Sequence, residues 1–591
     1  MLQQGNLSPI SRPSQLSRRM TFGLSLLGGC LLWTAFPPIN WSFIAWFAPM
    51  LWMPLLMADR FVSSKSPKRL VRLLGNAYTH MWLAHVVYWM IMLQGLRLAH
   101  WTTHFGWLAL GLYLGIYLPC FIFVGRCCVH RLRMPVALAA AISWITFEWL
   151  RGYIISGFSM ACLSHTQTEH LMLIQIADLG GNQIISLLIM LVAGSLYSMV
   201  VAIRNRPNHT STKKTILVHA TSIILLLALT LTYGYQQLGR TYSDMSKQTT
   251  VGLIQGSIDT QFELTPQQYS EKNKRQQQSY IEQSMLARQA NSNLSLLVWP
   301  ESMYPFGPTY ITNPQPTSTI HKPRHQNYAD IDDLAFRQHV ATVRDNLHRT
   351  NQDLLSLLNR NSIESSNSSI HLIAGTDIHD LSVVDTPTYN SAILFKPDGE
   401  VRDIYRKSHL VMFGEYIPLG KQFPWLYDLL PIGSGLTAGS DVLIFEIDGV
   451  VFVPNICFES TVPHLVRHMM QQSNTQGQRG DVMLNLTNDG WFWGSAMLDI
   501  HLRCNIMRAV EMRRPNLVAA NTGISAWITP TGEILEQKAK RKDGFVIAQV
   551  ATATYDSVYM RFGDILSIVA TSLAGIAVLR HFQANRPNRQ N

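Results

Sequence analysis

Apolar runs of roughly 17 to 25 residues recur through the first 238 positions and once more near the C-terminus, each about long enough to cross a hydrocarbon layer ~30 Å thick. The pattern predicts eight membrane spans, at 21–36, 41–58, 74–96, 105–125, 134–150, 171–202, 216–236 and 564–581. Between the seventh and the eighth the periodicity changes. "TVGLIQGSI" and "LSLLVWPESMYPF" read as short strands joined by the helical stretch "TPQQYSEKNKRQQQSYIEQSMLARQA". "HLIAGTDIHD", "YNSAILFKPDGEVRDIYRK" and "LIFEIDGVVFVPNICFES" add strands with Asp-Gly hairpin turns, and "DVMLNLTNDGWF", "HLRCNIMRAVEMRRP" and "NLVAANTGISAWITPTGEI" continue the alternation. Strands alternating with helices predict an α/β sandwich with the helices outside. The chain therefore divides into a helical membrane part, 1–238, a domain at 249–552 and a final span, 564–581. A stretch at 307–370, rich in Pro, Thr, Asn, Ser and His, reads as a partly disordered surface insertion with one helical piece near "AFRQHVATVRDNLHRTNQDLLSLLN".

Composition supports two physically different regions. Of 591 residues 47% are hydrophobic and 14% charged, and the mean hydropathy of +0.08 averages a very apolar part with an ordinary one. Basic residues sort the loops. Arg12, Arg18 and Arg19, then Arg60, Lys65, Lys68, Arg69 and Arg72, then Arg126, Arg131 and Arg133, then Arg204, Arg206, Lys213 and Lys214, and last Arg580, Arg586 and Arg589 all fall on one side of an eight-span arrangement. The intervening loops hold few, with Arg97 and Arg151 the main exceptions. Short loops rich in Lys and Arg stay cytoplasmic, so both termini are expected inside and the 249–552 domain outside. The arginines before the first span resemble a signal-peptide start, but the spans that follow argue for a retained helix. The formal charge of +11 is largely that of these loops, and no basic stripe interleaved with aromatics marks the α/β region, which argues against nucleic-acid binding.

Of seven cysteines, Cys30, Cys120, Cys127, Cys128 and Cys162 lie in the membrane part, and only Cys457 and Cys504 lie in the α/β part. No C-x-x-C spacing suggests a metal, and no cofactor is expected. Three reactive side chains end strands, where an α/β fold places its chemistry: Glu301 after "LLVWP", Lys407 after "RDIYR" and Cys457 after "VFVPNI". Each alone is unremarkable, since a strand-end Glu or Lys is usually a solvated rim residue and a lone Cys is usually core. Together they supply a thiol, a base to take its proton and a cation for a developing oxyanion, with the backbone N–H of Phe458 as a second donor.

These three residues, set in "WPES", "YRKSHLVMFGEYIPL" and "NICFES", resemble the nitrilase (carbon-nitrogen hydrolase) superfamily. With "EWLRGYIISGF", "LIQGSI", "GEYIPL", "NLTNDGWFWGS" and "MRAVEMRRPNLVAANTGISAWITPTGEI", nearly the whole chain is similar to its membrane-embedded branch, the bacterial apolipoprotein N-acyltransferases. The resemblance implies an α-β-β-α sandwich on the outer (periplasmic) face of the bacterial inner membrane. It implies an enzyme, expected to be monomeric, that moves an acyl chain from a phospholipid, typically phosphatidylethanolamine, to the α-amine of a diacylglyceryl-modified N-terminal cysteine of a lipoprotein. The route it implies is a thioester on Cys457, with Glu301 as general base and Lys407 as oxyanion stabiliser. Glu415 is implied to support the lysine and base, and Phe458 and Glu459 flank the cysteine.

The chain departs from the family at Phe458, where Tyr is common, around Phe262 and Leu264, where a Trp is often found, and at Ser159 and Met160, where Pro-Trp is usual; these bear on lipid gripping. Trp491, Phe492 and Trp493 read equally as acyl-chain walls or as core. Two other functions share parts of the pattern: a membrane-tethered amidase would have the same triad and accept water, and a non-catalytic lipid or lipoprotein binder would need no intact triad.

Overall fold

The structure is a computed structural model that describes all residues except 1–14, 63–67, 69–71, 73–74, 206–208, 262–263, 307–308, 312–319, 323–330, 361–368, 421, 430–434, 473–476 and 586–591. Arg12, Lys65, Arg69, Arg206, Phe262, Arg586 and Arg589 thus lie outside the described residues, as do parts of the 307–370 stretch. The chain forms two compact units, one from the described residues of Met1–Gln94, Phe105–Arg240 and Phe562–Asn591, the other from Gly95–His104 and Thr241–Arg561.

In the first unit, each of the eight apolar stretches coincides with helical backbone, but four stretches are both long and apolar enough to cross a membrane: Thr103–Arg131, Gln183–Asn205, Thr210–Leu238 and Ile565–Ala584. The sequence predicts eight spans. The difference has local causes. Helices Arg18–Thr34, Ala77–Met92 and Val136–Arg151 have 17, 16 and 16 residues, about 24–26 Å at 1.5 Å per residue, somewhat short of the hydrocarbon thickness. The 42–57 stretch is broken into 3-10 turns and one short α-helix, with Pro49 and Pro54 near their starts. The 171–202 stretch is interrupted before Gln183 by Gly181 at φ +73°. Arg151, an exception to the loop-charge pattern, is a buried helix residue whose guanidinium donates to the Met160 carbonyl at 3.1 Å and lies over the Trp89 ring.

The second unit is an α-β-β-α sandwich. Its elements in chain order are β1 (Ser243–Gln255), α1 (Pro266–Ala290), β2 (Leu296–Trp299), β3 (Thr309–Ile311), α2 (Asp333–Arg360), β4 (His371–Asp380), β5 (Thr388–Phe395), β6 (Val401–Arg406), β7 (Phe445–Ile447), β8 (Val450–Ile456), α3 (Pro463–Gln471), β9 (Val482–Thr487), α4 (Ala496–Met512), β10 (Asn516–Ala520), β11 (Ala526–Ile528), β12 (Ile534–Gln537) and β13 (Gly544–Ala553). One sheet runs β13-β1-β2-β4-β5-β6, with β3 beside β4, and the other runs β12-β11-β10-β9-β8-β7. Each has a parallel centre, β1-β2-β4 and β8-β9-β10, flanked by antiparallel strands.

Local sequence explains the breaks. Thr265 and Gln268 form a reciprocal capping box at the start of α1, with Pro266 at its first position. Asp448 and Gly449, at φ +52° and +76°, make the tight β7–β8 hairpin. Outside the first sheet, α1 and α2 bury Tyr280, Leu354, Leu355 and Leu358 against Trp299, Leu372 and Phe395. Helix α2 thus places part of the 307–370 stretch in the core, because its leucines recur at helical spacing.

Candidate active site

Glu301 and Cys457 follow β2 and β8, both strands with parallel neighbours, and Lys407 follows β6. The structure brings Glu301, Lys407 and Glu415 into one largely buried polar network. Lys407 Nζ donates to Glu301 Oε1 at 3.2 Å and to Glu415 Oε1 at 2.8 Å. Asn390, in the middle of β5, bridges the two carboxylates: its Nδ2 donates to Glu301 Oε1 at 2.7 Å and to Glu415 Oε1 at 3.1 Å. Glu415 Oε2 accepts from the Val411 N–H at 2.8 Å, and Glu301 Oε2 accepts from the Asn488 N–H at 2.8 Å.

A carboxylate offers about four lone-pair positions. Glu301 spends three, on Lys407, Asn390 and Asn488, and retains one for a further proton. Burial opposes the charge on Lys407, but the carboxylates of Glu301 and Glu415 outweigh it and hold its pKa well above the ordinary lysine value. These two carboxylates favour the charged ammonium.

Cys457 sits where β8 breaks into a 3-10 turn, at φ +53°, a left-handed conformation unusual for a residue with a Cβ. Burial first, then the Glu301 charge, pushes its thiol well above the usual cysteine range, against the opposing pull of Lys407 and a hydrogen bond with Thr487. The resting sulfur is therefore a thiol. The turn is held from behind: His501 Nε2 pairs with the Cys457 carbonyl at 3.2 Å and with Ser460 Oγ at 2.9 Å, and His501 Nδ1 pairs with Asp489 Oδ1 at 3.2 Å. Asn485 Nδ2 also donates to the Cys457 carbonyl, at 3.2 Å.

Glu459 is fully buried and acts as a structural acceptor. Its carboxylate receives the Tyr405 hydroxyl at 2.8 Å, the Ser408 and His409 N–H groups at 2.8 and 3.0 Å and the Ile456 N–H at 2.7 Å. It ties the chain after Lys407 to the strand end before Cys457. The Phe458 ring stacks on His409, centroids 6.0 Å apart. Trp493 is exposed, with the Arg541 guanidinium 5.5 Å from its ring. Leu264 is half-buried, and Ser159 and Met160 are buried. Cys504 is buried in α4, and both it and Cys457 are thiols. The described residues contain no group of three or more His, Cys, Asp or Glu able to hold a metal.

Asn390, Asn488, Asp489 and His501 were not anticipated from the sequence. The Asn inside the mostly apolar "YNSAILF" strand is the visible signal among them.

Residues 250–560 match the family model for carbon-nitrogen hydrolases, which fixes the class of the α/β unit. Residues 28–195 match the model for the apolipoprotein N-acyltransferase N-terminal domain. The chain is 30% identical over 554 residues to an apolipoprotein N-acyltransferase of Rhodopirellula baltica, covering 90% of this chain and 92% of that one. It is 26% identical over 576 residues to one of Geobacter metallireducens, covering 97% of each. The chain belongs to the apolipoprotein N-acyltransferase family.

Proposed function

We propose that the protein transfers a fatty acyl chain from a phospholipid, with phosphatidylethanolamine the expected donor, to the α-amine of a diacylglyceryl-modified N-terminal cysteine of apolipoproteins, through a thioester on Cys457. The observation that carries the chemistry is the hydrogen-bonded Glu301–Lys407–Glu415 network, with Cys457 at the end of β8. In the first half-reaction Glu301 takes the Cys457 proton as the sulfur attacks the ester carbonyl. The oxyanion forms against Lys407 and the Phe458 N–H, the C–O bond breaks, and Glu301 returns the proton to the departing lysophospholipid. In the second, the amine attacks the thioester and gives up a proton through Glu301. The C–S bond then breaks, and the sulfur leaves with a proton as the thiol.

The same reading keeps the division into 1–238, 249–552 and 564–581, with eight spans, some oblique or shortened. It places the protein in the bacterial inner membrane as a monomer, with the α/β domain on the periplasmic face; the arginine and lysine distribution supports that orientation. A bilayer-anchored donor and acceptor favour this function over a tethered amidase, which has no use for so large an apolar region.

The test uses the whole purified protein in phosphatidylethanolamine vesicles with a diacylglyceryl-cysteine peptide. One acyl chain gained on the peptide amine, with one lysophospholipid released, is the expected result. Free fatty acid at the same rate with and without peptide indicates a hydrolase instead.

A further inference from the structure

Asp377 stands beside the catalytic network without belonging to it. It occupies β4 directly opposite Asn390 of β5, and directly opposed residues of an antiparallel pair project to the same face. Asn390 reaches both Glu301 and Glu415, so Asp377 shares the face that carries the chemistry. Strand parity gives the same answer independently. Leu372, Ala374 and Ile378 enter the core under the helices, and the opposite set contains Gly375 and Asp377. A Cβ at Gly375 would come within 2.5 Å of Glu301 Cα.

The side chain is exposed, and desolvation first, then the charges of Glu301 and Glu415, raise its carboxyl above the ordinary aspartate value, against Lys407. Among the described residues no hydrogen bond or ion pair holds it. Two carboxylates, Glu301 and Glu415, contact the Lys407 ammonium, and Asp377 lies in their field without touching it. The surplus is negative, and its unpaired member faces solvent.

We propose that Asp377 is the anionic contact that receives the α-ammonium of the amine acceptor, which gives one proton to solvent there before the neutral amine attacks the thioester. Two substrate cations exist in the proposed reaction. The ethanolamine ammonium of the donor is separated from its scissile ester by the glycerol and the phosphodiester. The acceptor nitrogen is itself the reacting atom and must come within bonding distance of the acyl carbon, next to Glu301 and Lys407. A carboxylate that feels Glu301, Glu415 and Lys407 is placed for the second cation. Pairing with Asp377 also offsets the repulsion among the three carboxylates, an advantage that the neutral donor ester does not receive.

The inference rests on the proposed two-step transfer, and steady-state kinetics separates the two. With the whole protein in vesicles, initial rates are measured while phospholipid and a diacylglyceryl-cysteine peptide are varied independently. Parallel double-reciprocal lines are expected for the unaltered protein, and intersecting lines overturn the two-step reading whatever Asp377 does. For Asp377→Asn, kcat/KM for the peptide is expected to fall at least about tenfold, and by several times more than kcat/KM for the phospholipid. Asp377→Glu, which keeps the charge, is expected to recover most of the loss. An unchanged peptide value, equal losses for both substrates, or no recovery with glutamate overturns the assignment.

Discussion

Lys407 Nζ lies nearer to Glu415 Oε1, at 2.8 Å, than to Glu301 Oε1, at 3.2 Å. The lysine is thus anchored chiefly by a carboxylate that is not the proposed base, and Glu301 keeps a lone pair for the thiol. Glu415→Gln retains a hydrogen-bonding oxygen but removes one of the two carboxylate charges in contact with the ammonium. Loading of Cys457 from phospholipid is expected to slow by about ten- to a hundredfold, since a misplaced oxyanion donor costs on the order of 1.4–2.7 kcal/mol. Single-turnover loading measured by gel, beside a melting curve close to that of the unaltered protein, checks this.

Removing the cation should do more damage than removing the base. Lys407→Met leaves Glu301 and Glu415, with side chains 8% and 13% exposed, as uncompensated neighbours, a loss of about 3–5 kcal/mol of stability. Glu301→Gln relieves like-charge repulsion while blocking proton transfer. The expected pattern is no loading in either variant, with a clearly lowered Tm only for Lys407→Met. Equal Tm values would contradict the network's energetics.

The positions of Glu301 and Cys457 were legible because apolar strand patterns stop there, and that of Lys407 because it closes the second arm of an Asp-Gly hairpin. Asp377 and Asn390 were not, since a polar residue within a strand reads as a solvent-side position until its cross-strand partner is known. His501 lies in a mixed helix whose periodicity does not show that it reaches the Cys457 carbonyl. The membrane part was legible as apolar segments. Its helix lengths were not, because a hydropathy window averages across breaks such as Pro49, Pro54 and Gly181.

His501 makes the site's rigidity pH-dependent. Burial disfavours its charge, but Asp489, the Cys457 carbonyl and Glu301 outweigh burial and raise its pKa above the ordinary histidine value. Its stabilising contribution is therefore full below about pH 6.5 and fades as pH rises through the higher folded-state value. His501→Gln should lower Tm most at the acid end of a roughly pH 5–9 series, with the difference narrowing toward the alkaline end. A difference that widens with pH would reverse the sign of this linkage.

Cys504 is buried at 0% exposure in α4 and is not bridged to Cys457. Cys504→Ala should cost on the order of 1 kcal/mol through a small cavity and leave acyl transfer within a few-fold. Peptide mapping under non-reducing conditions should show no Cys457–Cys504 crosslink; a crosslink accompanied by loss of activity in the variant would remove the nucleophile from this account.

The most direct measurement is intact-protein mass spectrometry after incubation with phosphatidylethanolamine and no acceptor. The account predicts a mass gain of one acyl chain, mapped to the Cys457 peptide, removed by neutral hydroxylamine and matched by released lysophospholipid, with no gain in Cys457→Ala. A hydroxylamine-sensitive acyl adduct that persists in Cys457→Ala, or acyl transfer by that variant at the unaltered rate, would contradict it.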